Sequence, residues 1–140
     1  MKGERNFVVD LEFNRAFLKF AKQMHIYTMQ FPKEQKLSAV RELNDLRDEI
    51  HEIAVLMHFK QYKKTSLNDL RAKLSLMECK IEFFRDLGYF SYKKQASTEE
   101  ISIKEDFIGV HRAGVLFDLL KPVGARAEVL AKIAMCEGKW

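Results

Sequence analysis

The sequence predicts an all-α protein: an up-down-up-down four-helix bundle with an extra short C-terminal helix, in one domain over residues 1–140. Three observations carry this. Leu67, Leu70, Leu74, Met77, Ile81 and Phe84 recur at alternating spacings of three and four, the seam of a helix that buries one stripe against other helices. The stretch from Glu42 to Met57 has the same rhythm. Helix breakers are few, with 6 Gly and 2 Pro, while Leu, Lys, Glu and Phe abound. A chain of this length buries about two-thirds of its unfolded surface and needs no disulfide or metal to fold.

The first helix is expected from about Val8 to Gln30, with Leu11, Phe17, Leu18, Ala21, Met24 and Tyr27 on a broad face widened by Phe13 and Phe20. Phe31-Pro32 breaks it, because proline cannot continue a helix but suits the first turn of the next. The second helix is expected from Lys33 to His58 or Phe59, with a seam of Leu37, Val40, Leu43, Leu46, Ile50, Ile53 and Met57. Lys60 to Lys64 joins it to the third, and so short a connection makes the two antiparallel neighbours. The third helix covers Thr65 to Gly88, with Ser66 as N-cap and Gly88 as C-terminal stop.

Tyr89 to Ser97 reads as a loop with the basic pair Lys93-Lys94. Ser97 with Glu100, and Ser102 with Glu105, have capping-box spacing. A fourth helix is expected over Thr98 to Leu120, ended by Pro122 and Gly124. A last helix runs from Ala125 to Cys136 on a face of Val129, Leu130, Ile133 and Ala134. Alternating helices would make both ends of the bundle basic: Lys33, Lys36, Lys93 and Lys94 at one, Lys60, Lys63, Lys64, Lys2 and Arg5 at the other.

Catalytic patterns are sparse. Asp48, Glu49, His51 and Glu52 form the densest ionisable cluster, but a di-iron bundle needs two ExxH motifs and two further inward carboxylates. This cluster reads as a solvated helix face. His51 and His58, seven apart, lack a third metal ligand. There is no GxSxG and no GxxxxGK phosphate loop, so no enzyme, cofactor or metal site is expected. Cys79 and Cys136 read as buried thiols in a reducing cytoplasm. No early segment has the form of a secretory signal, and no apolar run reaches the ~18 residues of a membrane span. The expected location is cytoplasmic.

The formal charge of +4 and isoelectric point near 9 permit an acidic partner such as nucleic acid. Lys60, Tyr62, Lys63 and Lys64, and likewise Tyr92, Lys93 and Lys94, combine cations that neutralise phosphates with rings that stack on unpaired bases. A second class of function, a helical protein-interaction module, is indicated by Phe7, Phe13, Phe20, Phe59 and Phe90, which look surplus to a single core.

The run from Phe31-Pro32-Lys33 through Arg41, Ile50, Lys64-Thr65, Leu70, Arg71, Leu74 and Phe84 to Asp86-Leu87-Gly88 resembles the Avd-like four-helix-bundle family. Its members include the accessory variability determinants of diversity-generating retroelements and bundle proteins encoded by intervening sequences of large-subunit ribosomal RNA genes. Gly138-Lys139-Trp140 resembles the family's G-x-W ending. The likeness covers about Phe17 to Lys94; within 95–124 the chain departs from the pattern, with a longer Asp106–Gly124 segment containing Pro122. The resemblance implies a non-enzymatic homo-oligomer, commonly a pentameric ring. It also implies a basic surface for RNA or DNA and, in the Avd branch, a reverse-transcriptase partner. By position, that basic surface would comprise Arg41, Arg47, Lys60, Lys63, Lys64, Arg71, Lys73 and Lys80. The alternative is an interaction module or ribosomal intervening-sequence protein without a retroelement role.

Overall fold

The computed structural model describes residues 10–91 and 103–140. Four helices carry the architecture: α1 (Leu11–Thr28), α2 (Arg41–Met57), α3 (Lys64–Asp86) and α4 (Ile103–Cys136), with no strand among the described residues. Tyr92 to Ser102, with the expected Lys93-Lys94 pair and the serines of both capping boxes, lies outside them, as does Phe7.

Asp10 starts α1. Its carboxylate accepts the Phe13 amide at 2.9 Å, an N-cap that satisfies one of the helix's first free donors. The buried line of α1 is Phe13, Phe17, Phe20 and Met24. Leu11 and Leu18, expected on that face, are 42% and 48% exposed, because the bulkier phenylalanines set which side turns inward. Phe13, Phe20 and Phe90, expected as surplus, are fully packed.

Phe31-Pro32 ends the first segment as expected, but α2 does not begin directly. A 3-10 turn (Lys33–Gln35) and a π-helical turn (Lys36–Val40) come first. Both differ from the 3.6-residue repeat and shift its phase. Leu37 therefore leaves the expected seam and is 77% exposed, whereas Ala39 is buried. From Leu43 the α-repeat holds: Leu43, Leu46, Ile50, Ala54 and Met57 are buried.

α3 buries its expected seam in full, Leu67, Leu70, Leu74, Met77, Ile81 and Phe84. Its start differs: Lys63 is the N-cap, and Ser66 lies buried within the first turn. Gly88 adopts φ +82°, the left-handed geometry of a helix stop, and the Tyr89 amide then reaches back to the Phe84 carbonyl.

The extra C-terminal helix is not present. α4 is continuous from Ile103 to Cys136, through Gly109, Gly114, Pro122 and Gly124. Pro122 is on the solvent side, where water can take the carbonyl it leaves unpaired. The buried line runs through it in step: Gly109, Ala113, Leu116, Leu120, Val123, Ala127, Ala131 and Ala134. The expected face is right only in part: Ala134 is buried and Leu130 packs against the core. Val129 and Ile133 are 39% and 40% exposed, and the small residues point inward instead.

Small residues let backbones approach. α4 lies close against both α1 and α3, and α3 against α2, while α1 and α2 face each other across a wider groove lined by Asn14, Leu18, Ala21, Arg47 and His51. At Gly109 the approach is limiting, since a Cβ there would be 2.0 Å from Ser91 Oγ. Phe31 anchors that end, edge-on to Phe90 at 4.9 Å and near Phe84 and Tyr89. Arg112 ties α4 to the same cluster, donating to the Phe90 carbonyl at 3.0 Å.

Candidate nucleic-acid interface

At the other end, the starts of α1 and α3 meet the ends of α2 and α4. Asp10, Met57, His58, Lys63, Ala134 and Glu137 line one groove there. The connection from α2 to α3 passes over this end, and Lys63 is its anchor. Its ammonium donates to the carbonyls of Met57 at 3.0 Å and Lys60 at 2.8 Å, binding the connection back onto the end of α2. Its amide donates to the Lys139 carbonyl at 2.8 Å, stitching α3 to the chain beyond α4. Gly138, at φ +70°, makes the turn that allows this, and Trp140 packs partly buried against the core. Burial pulls the Lys63 ammonium below the ordinary lysine range, and Lys139 nearby adds to the effect.

With Lys63 turned inward, its neighbours turn outward. Phe59 is 69% and Tyr62 62% exposed, and Lys60 and Lys64 are exposed with no carboxylate partner among the described residues. The backbone beneath Phe59 is a hydrogen-bonded turn: the Phe59 amide bonds the Leu56 carbonyl and the Lys60 amide bonds that of Met57. Two cations and two exposed rings thus share one six-residue span, the chemistry that suits unpaired bases on a phosphate backbone.

The other expected basic residues are deployed differently. Lys73 pairs with Glu49 at 2.9 Å and Lys80 with Glu42 at 2.7 Å, two ties between α3 and α2. Arg71 pairs with Glu128 of α4 and donates to Asn68. Arg47 bonds Asp48 and Asn44 on its own helix. Arg41 is exposed beside the acidic outer face of α2, where Asp45, Asp48 and Glu52 are also exposed. Of the eight expected residues, the structure gathers Lys60, Lys63 and Lys64 at one end, sets Arg47, Arg71, Lys73 and Lys80 in pairs along the helices and leaves Arg41 on the outer face of α2.

Phe59, expected among the aromatics surplus to the core, is exposed as that expectation requires, whereas its link to the basic connection was not foreseen. The sequence places it at the end of a helix and among the interface aromatics; the exposure of both rings links it with Tyr62. Asp10 and Arg126 were also missed. Arg126 Nε and Nη2 donate to the two Asp10 oxygens at 2.8 and 2.9 Å, and this hydrogen-bonded guanidinium holds the Asp10 carboxyl below the usual aspartate range. That pair joins α1 to α4 and is structural.

His51 is exposed, as expected of a solvated face. Cys79 and Cys136 are exposed too, contrary to the buried thiols expected: each is on the outer side of its helix, out of step with the buried line. Among the described residues, no three His, Cys, Asp or Glu gather as a metal site, and no helix is long and apolar enough to cross a membrane. Compared with family models, curated proteins and solved structures, the chain matches none.

Proposed function

We propose that this chain is a non-enzymatic, self-associating accessory protein that holds unpaired nucleic acid, RNA or DNA, at the α2–α3 connection. One observation carries the reading: Phe59, Lys60, Tyr62 and Lys64 are displayed together while Lys63 braces them from beneath. The lysines neutralise phosphates and release counterions; the rings stack on bases without regard to sequence. The likeness to Avd-like bundles supports the same reading. It adds alternating helices, a ring of subunits with five favoured, a cytoplasmic setting and a reverse-transcriptase partner.

Binding of a fluorescent single-stranded oligonucleotide across a salt series tests it. Replacing Lys60 and Lys64 with alanine should flatten the log–log salt slope by about 0.7 per lost phosphate contact. Tyr62→Ala should cost about 1–3 kcal/mol with the salt slope unchanged. Lys63→Ala should lower thermal stability more than affinity. No binding to any single strand at low salt overturns the proposal.

A second reading, a protein-interaction module, is favoured by a specific feature. α3 carries a second apolar line on its solvent side, with Leu76, Phe83 and Leu87 exposed by 40%, 55% and 43%.

A further inference from the structure

We propose that a second copy of this chain docks the outer face of its α1 onto the outer face of α3. The inference rests on the self-association in the proposed function and names the two surfaces that make it.

The outer line of α3 is Ala72, Leu76, Cys79, Phe83 and Leu87, all exposed, at spacings of four, three, four and four. That rhythm matches the buried seam but faces away from it, so α3 is apolar on two sides. A helix with one partnered and one unpartnered apolar line has the pattern of a packing surface. Glu78 and Glu82 lie along one side of the line, exposed and without a cationic partner among the described residues, while Lys73 and Lys80 along the other side are already paired with Glu49 and Glu42.

The outer line of α1 is Leu11, Arg15, Leu18, Lys22, Ile26 and Met29, again all exposed and again at spacings of three and four. Lys19 lies beside it. None of Arg15, Lys19 and Lys22 has a carboxylate partner among the described residues. The two lines match in length, roughly 27 Å on α1 and roughly 22 Å on α3 at 1.5 Å per residue. The α3 line is apolar throughout, and the α1 line sets Arg15 and Lys22 between its apolar residues. One carries cations and the other has acids beside it.

Charge decides the occupant. An α3-to-α3 contact about a twofold would bring Glu78 and Glu82 toward their own copies, and an α1-to-α1 contact would do the same with Arg15 and Lys22. Like charges at an interface oppose it, and complementary ones fix partner and register. The α1-to-α3 contact lets Arg15 and Lys22 extend past the α3 line to the acids beside it while Leu11, Leu18 and Ile26 meet its apolar residues. α1 and α3 occupy opposite corners, since α4 packs closely on both and α2 packs closely on α3. The contact is therefore head-to-tail, and each copy keeps a free face for the next. The α2–α3 connection, at one end, is left uncovered.

Sedimentation velocity over a concentration and salt series, with circular dichroism as control, tests this. The wild type should self-associate, and salt should weaken it. Reversing one face with R15E/K22E, or the other with E78K/E82K, should weaken association by about tenfold or more while helix content stays native. Mixing the two variants should restore assembly, because each then offers the other a complementary face. A monomeric wild type overturns the inference, as does association that survives both reversals or a mixture that stays dissociated. Oligonucleotide binding by the R15E/K22E variant is read separately. If it persists while assembly is lost, the nucleic-acid site stands alone; if it is absent in the wild type, that reading fails and the docking result is unaffected.

Discussion

Asp10 has two jobs at once, as N-cap to the Phe13 amide and as bidentate acceptor for Arg126. The two side chains are 23% and 21% exposed, so solvent screens the pair only in part. Because its folded pKa is depressed, the stability it contributes is present above the ordinary aspartate pKa and is lost as pH falls through the folded value. Asp10→Asn keeps a capping oxygen and removes the charge. It should cost about 1–2 kcal/mol at pH 7. Urea titrations from pH 7 down should show that difference shrinking from about pH 4 downward. None of this was legible in the sequence. Asp10 has an N-cap residue's chemistry, but 116 positions separate it from Arg126 and nothing local announces the partner.

At the scale of the helix, legibility followed how completely one side was buried. α3 read correctly because large side chains occupy every seam position and burial selects them strongly. α4 misread because its inward residues are small. Glycine and alanine gain little by burial, yet they let α4 approach two helices, a benefit that appears only in the assembled fold. Pro122 completed the error. A proline on the solvent side costs a helix its local hydrogen bond, and tertiary packing from Leu116 to Ala134 outweighs that loss. Pro122→Ala should therefore stabilise the protein, by up to about 3 kcal/mol, read as a rise in the urea midpoint with an unchanged slope. A fall in stability would mean that the residue shapes α4 in a way its exposure does not reveal. The start of α2 failed for a different reason: two turns of unequal pitch precede it, and a fixed 3.6-residue repeat cannot pass through them in phase.

Across the whole molecule, the basic residues divided by their distance from acids on neighbouring helices. Lys73 and Lys80 look as available in sequence as Lys60 and Lys64. The relative slide of α2 and α3 brings Glu49 and Glu42 to the first pair only. That slide is a property of packing, so no linear pattern records it. The same packing is uneven around the bundle. α4 is pressed close on two sides and α2 on one, with the wider groove between α2 and α1. Local opening should follow that asymmetry. Amide hydrogens in the second half of α4 should exchange slowest, at rates set by global unfolding, and those of α2 measurably faster. Equal protection of both helices would show that the groove costs α2 nothing. α2, expected to open more readily than α4, ends just before Phe59 of the proposed binding span. A less closely packed wall thus adjoins the proposed binding span, and a strand bound there should be felt first as slowed exchange along α2.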